Sequence, residues 1–152
     1  MAQRPHGNYT DDPNDMSEML QELRILLQGA QVLTAFLVVL PFSAGFAAIA
    51  DAEKWVYAVT FLSSLTSLIL FSAPAVHHRL ERPLQDRIAF KDFASRMMVV
   101  GLAPLSLALV LATQLVTSEV VGEWPAAGLA ALMAAFLASV WFVLPLVRRR
   151  RA

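Results

Sequence analysis

The chain has 152 residues, 57% of them hydrophobic and 16% charged, with a mean hydropathy of +0.57. Soluble domains carry about 25% charged residues, so this composition speaks against a water-soluble globule, and a formal net charge of +0 offers no field for nucleic acid. With no cysteine it can form no disulfide, thiolate metal site or cysteine nucleophile.

Residues 1–15 are polar and hold Pro5, Gly7, Pro13 and three aspartates, which predicts a disordered tail. Asp15 and Glu18 have the spacing of a helix-capping pair. Met16, Met19, Leu20, Leu23, Leu26 and Leu27 then recur at helical spacing among Glu18, Gln21, Glu22 and Arg24. That pattern predicts an amphipathic juxtamembrane helix at the lipid interface, or alternatively a docking helix.

After Gln28 the chain runs 22 residues without a charge, through Ala50. At about 1.5 Å per residue this crosses a ~30 Å hydrocarbon core, so a first span is placed at about 29–50. Ala48 and Ala50 form an Ala-x-Ala pattern, but the apolar run is too long for a signal peptide and a retained anchor is expected. Pro41 lacks the donor that would serve the Leu37 carbonyl, which predicts a kink.

A tight polar connection of Asp51, Glu53 and Lys54 precedes a second span at about 55–76, with Trp55 and Tyr57 suited to headgroup anchoring. Tyr57, Thr60, Ser63, Ser64 and Ser67 fall on one helical face. Such a stripe either lines a wet pathway or bonds helix carbonyls and neighbouring helices. A basic connector follows, with Arg79, Arg82, Arg87, Lys91 and Arg96, and Pro83 is placed to begin the third helix. The third span, about 95–117, contains Gly101, Pro104 and Gln114. Gln31 and Gln114 are expected to hydrogen-bond between helices, with Gln28 and Gln31 near the inner surface and Gln114 near the outer.

The fourth span, about 125–147, carries two alanine-rich ridges. Ala126, Ala130, Ala134 and Ala138 form one; Ala127, Ala131, Ala135 and Ser139 form the other. Both are read as a helix-packing face, with Leu129, Leu132 and Phe136 on the bulky side. Residues 148–152 make a basic tail. Arg79, Arg82, Arg148, Arg149, Arg150 and Arg151 are expected at lipid headgroups.

The expected fold is therefore all-α, a polytopic four-transmembrane-helix bundle with an N-terminal amphipathic helix, forming one unit over 16–147. Eleven of the twelve Lys and Arg fall on the tails and the central connector, and one, Lys54, on the other side. The positive-inside rule then puts both termini in the cytoplasm and makes the protein multi-pass in the plasma membrane.

Catalytic signals are missing: there is no Gly-rich phosphate loop, Gly-x-Ser-x-Gly elbow or His-Glu-x-x-His pair. No catalytic residue, metal ligand or cofactor is assigned. His77 and His78 are adjacent on a helix, so their side chains diverge. Every acid and base lies outside the four apolar cores, whereas ion-coupled carriers normally hold one within the membrane.

Glu22-Leu23-Arg24, Gln28-Gly29, Gln31-Val32-Leu33, Ala35-Phe36-Leu37, Pro41-Phe42-Ser43, Tyr57, Pro74 and His78-Arg79 together resemble a family of small four-span membrane proteins from actinobacteria. That family is known mainly as a domain of unknown function, and some members carry a sodium–proton antiporter label. The resemblance implies the four-span topology and a bacterial plasma membrane. Two functions stay open: a non-enzymatic accessory or self-assembling subunit, partnered by lipid and by copies of itself or another membrane protein, and a small oligomeric cation channel or sodium/proton transporter.

Overall fold

A computed structural model of the chain describes residues 13–80 and 87–144, without the side chains of residues 13–16, 87, 88 and 142. The expectations for the N-terminal tail, for Arg82 and Pro83, and for Arg148 to Arg151 lie outside these residues. Four helices make up the fold: α1 (Pro13–Val39), α2 (Asp51–Leu80), α3 (Arg87–Val121) and α4 (Glu123–Ala138). A π-helical turn, Ser139–Val143, continues α4. Four helical stretches, the first and last including the short turns that follow α1 and α4, are long and apolar enough to cross a membrane: Ser17–Phe42, Asp51–Leu80, Ala89–Val121 and Glu123–Trp141.

The first stretch differs from the expected 29–50. The amphipathic segment is not a separate interfacial helix, because α1 continues through it without a break. Glu18, Glu22 and Arg24 sit on the exposed side. Leu23, Leu27, Ala30, Thr34 and Leu37 alternate by four and three residues and face inward, all buried but the half-buried Leu27. One continuous seam therefore keeps one continuous helix.

At the other end Pro41 stops α1 rather than kinking it. The chain leaves through two short 3-10 turns, Leu40–Phe42 and Phe46–Ala48, before α2 begins. Proline removes one donor, and Ser43 takes up the freed Leu40 carbonyl through both its N–H, at 3.0 Å, and its hydroxyl, at 2.7 Å. The Leu37 carbonyl that Pro41 cannot reach is served from the next helix: the Tyr57 hydroxyl donates to it at 2.9 Å. Phe46 meets the Tyr57 ring edge-on at 5.0 Å and fixes that hydroxyl's approach.

The start of α2 is capped by the Glu53 carboxylate, which accepts from the Ala50 N–H at 3.1 Å. An exposed Lys54–Asp51 ion pair at 3.0 Å adds little there. Between α3 and α4 a single residue, Gly122, makes the turn with φ 87°, the left-handed region that favours glycine.

The helices pack in sequence. α1 lies on α2, α2 on α3 and α3 on α4; α1 touches α3 briefly, and among the described residues its backbone does not approach α4. The bundle is thus open between its first and last helices. In every helix the inward positions alternate by three and four: Thr60, Ser64, Ser67, Phe71 and Pro74 on α2; Ala94, Met98, Gly101, Leu105 and Ala108 on α3. That spacing suits small, left-handed crossing angles. At its centre Phe71 packs with Leu23, Ala30 and Leu105. The Phe71 ring occupies the notch left by Gly101, where a Cβ would come within 2.5 Å of its edge.

Candidate functional site

The polar residues foreseen in the second span divide three ways. Thr60, Ser64 and Ser67 are fully buried, at 0% exposure, and form the N-terminal half of the α2 seam. Ser63 is one residue out of register and only half-buried beside them. Tyr57 is half-buried near the N-terminal end of α2, its ring also parallel to Phe61 at 6.1 Å.

Each buried hydroxyl is accounted for. Thr60 donates to the Val56 carbonyl at 2.6 Å, and Ser67 donates to the Ser64 carbonyl at 2.8 Å. Thr34 of α1 donates to the Ala30 carbonyl at 2.8 Å and lies 2.6 Å from the Ser64 hydroxyl. A hydroxyl has one proton. Thr34 places its own on Ala30, so Ser64 is the donor between the two helices. No buried side-chain nitrogen or oxygen lacks a partner among the described residues. Chemically this is an internally bonded polar seam joining α1 to α2.

The glutamines lie elsewhere. Gln31 is exposed on the outer side of α1, away from the seam. Counting from the Thr34–Ser64 contact, Gln28 falls close to Ser72 in depth, as expected, but well short of His77, and the two glutamines straddle the middle of the Ser17–Phe42 stretch. Gln114 is half-buried and lines a cleft of about 340 Å³ between the start of α2, the end of α3 and the start of α4, with Glu53, Glu123 and Trp124. A second cleft of about 360 Å³ separates the 3-10 turns from α3, and a third of about 300 Å³ lies between α3 and α4. None of these three is lined by Thr60, Ser63, Ser64 or Ser67.

On α4 the two alanine ridges part. Ala126 and Ala130 are buried, Ala134 is half-buried, and Leu137 completes that line. Ala127, Ala131, Ala135, Ala138 and Ser139 are exposed, as are Leu129, Leu132 and Phe136. The contact with α3 is a single narrow line, because α4 has only one helix neighbour. At the opposite end of the bundle, near the C-terminus of α2, His77 lies edge-on to Phe93 at 4.7 Å and to Phe90 at 6.3 Å, and His78 lies 5.5 Å from Phe90. Arg79, beside them, is exposed. No cluster of three His, Asp or Glu suited to a metal occurs among the described residues.

Two elements were not foreseen as partners: Thr34 to Ser64, and Tyr57 to Leu37. Both had a signal in the sequence. Thr34 falls on the four-and-three line through Leu23, Leu27, Ala30 and Leu37, and Pro41 marks Leu37 as the carbonyl in need of a donor.

An all-α chain of four sequentially packed helices, each with the length and apolarity of a membrane span, closed around internally bonded hydroxyls, is the class these features define. Within it, the chain belongs to the family of unknown function DUF6328, matched over residues 13–145. No curated relative and no solved structure matches it.

Proposed function

We propose that the chain is a non-enzymatic integral membrane protein that works by assembly, as a self-associating or accessory subunit of a bacterial plasma membrane, and not by moving ions along its hydroxyl stripe. One observation carries this reading. Thr60, Ser64 and Ser67 are fully buried, and each hydroxyl bonds a helix carbonyl or Thr34. A conduction path needs polar groups that exchange partners with a passing ion or water; these serve as helix-to-helix glue.

The orientation follows from charge, with both termini and the central connector cytoplasmic because eleven of twelve basic residues lie on that side of the helix midpoints. Arg79, Arg82 and Arg148 to Arg151 then meet the inner headgroups, and Trp55 and Trp124, both exposed, the outer ones.

The test is reconstitution of the purified chain into proteoliposomes under sodium, potassium and proton gradients, beside Ser63→Ala/Ser64→Ala/Ser67→Ala. Flux at the level of empty vesicles is expected for both proteins. Cation flux by the wild type that the triple variant loses would refute the assembly reading and restore the stripe as a pathway. In cells, reporter fusions after Arg79 and Arg151 should read cytoplasmic and those at Glu53 and Glu123 external. A cytoplasmic signal at either glutamate would overturn the four-span insertion.

A further inference from the structure

We infer that the outer face of α1 is a two-fold seam for a second copy of this chain, held by the amides of Gln28 and Gln31 at the middle of the bilayer. The inference rests on the reading of the chain as a self-associating membrane subunit and names the surface.

The depth comes from two independent marks. Gln28 and Gln31 straddle the midpoint of the Ser17–Phe42 stretch. Thr34 meets Ser64, which lies near the middle of Asp51–Leu80. At about 1.5 Å per residue, both marks put the two glutamines within about 7 Å of the midplane. Both side chains are exposed, and neither makes a hydrogen bond among the described residues. Hydrocarbon offers an amide no partner, and polar side chains at that depth pair across helices.

The face around them is built for a helix. Gln21, Arg24, Gln28, Gln31, Ala35, Val38 and Phe42 alternate by three and four, the same period as the internal seams, yet all are exposed. This line runs along a different side of α1 from Leu23, Ala30, Thr34 and Leu37. It would be left bare by a monomer. Ala35 gives close approach just above the glutamines, and Arg24 lies far enough below them to extend its guanidinium to the inner headgroups.

The occupant is set by symmetry and by the chemistry of the amide. Copies inserted in one orientation can bring α1 against α1 only in parallel, about an axis along the membrane normal, so each residue meets its own copy. A carboxylate or an ammonium would repel itself there. A carboxamide carries both an acceptor and donors, so Gln28 can bond Gln28 of the second copy and Gln31 likewise. Two self-complementary groups one turn apart also fix the register.

Because the chain has no cysteine, single-cysteine cross-linking in reconstituted vesicles can be read without background. Ala35→Cys and Val38→Cys should form disulfide dimers on oxidation. Ile25→Cys and Phe36→Cys, exposed on the other side of α1, should not. Gln28→Leu/Gln31→Leu should lower the dimer fraction at Ala35→Cys, with association weakened roughly five- to tenfold. Its monomer should keep the wild-type unfolding curve, because both side chains point outward.

Cross-linking through an α4 position such as Ala131→Cys, with none on α1, would overturn this seam and leave the subunit reading intact. So would capture of only an unlike protein by Ala35→Cys in native membranes. A monomer at every cysteine position and every protein-to-lipid ratio, with no unlike protein captured, would overturn both.

Discussion

Substituting Gly101 by alanine tests the centre of the bundle most directly. The new Cβ would lie 2.5, 2.9 and 3.2 Å from three atoms of the Phe71 ring, where ordinary contact begins near 3.4 Å. Phe71 is fully buried, so its ring cannot swing aside into solvent. Overpacking of this kind costs about 1–3 kcal/mol, and contacts this short place it at the upper end. Alanine returns about 1 kcal/mol in helix propensity, so a net loss of roughly 2 kcal/mol is expected. Gly29→Ala is the internal control, because nothing lies within 4 Å of its Cβ. It should be neutral or gain up to about 1 kcal/mol, leaving a gap of roughly 3 kcal/mol between two identical chemical changes. Unfolding in mixed micelles of increasing denaturing detergent, followed by the fluorescence of the three tryptophans, would measure both. Phe71→Leu gives the added methyl space, so the double variant should be less destabilised than the sum by about 1 kcal/mol or more. Equal stability of the two alanine variants, or strict additivity of Gly101→Ala with Phe71→Leu, would refute the notch.

Two other outcomes follow from single contacts. Tyr57→Phe leaves the Leu37 carbonyl without its donor and should destabilise the protein by about 1–2 kcal/mol. In a Pro41→Ala background, where a backbone N–H is restored, the same change should cost much less; equal costs in both backgrounds would disprove the link. On α4, Ala126→Leu and Ala130→Leu should each lose about 1–3 kcal/mol in the same unfolding assay, whereas Ala131→Leu on the exposed ridge should fold normally. The opposite ranking would mean that α4 packs through its other side.

Helix number and polarity were legible because charge-free runs of this length leave few alternatives, and the hydroxyls of Thr60, Ser64 and Ser67 announce one face by their spacing. The boundaries of the first helix were not. Hydropathy treats Leu40 to Ala50 as span, although Pro41 and the short 3-10 turns after it cannot continue a helix. It also discounts residues 17–28 for carrying Glu18, Glu22 and Arg24, although all three lie on the exposed side. This displacement moves Gln28 and Gln31 from the expected end of the first span to the middle of the Ser17–Phe42 stretch. On α4 the two alanine ridges are nearly equivalent in composition, and only the docking of α3 distinguishes them. Leu137, in line with Ala126 and Ala130 but not with Ala131, was the one asymmetric sign.

The hydrogen bond from Tyr57 to Leu37 spans 20 positions of the chain, and this separation sets an order of events during synthesis. When α1 first enters the bilayer, its last turn ends in a carbonyl that its own sequence cannot serve. An unserved carbonyl in hydrocarbon is unfavourable by several kcal/mol. The end of α1 therefore gains its side-chain donor only after residue 57 has been made and α2 has turned back beside it. Only then can Phe46 close over the joint and the first two helices settle as a pair. The joint between the first two helices is thus closed by Tyr57 and Phe46 together, and not by the end of α1 itself.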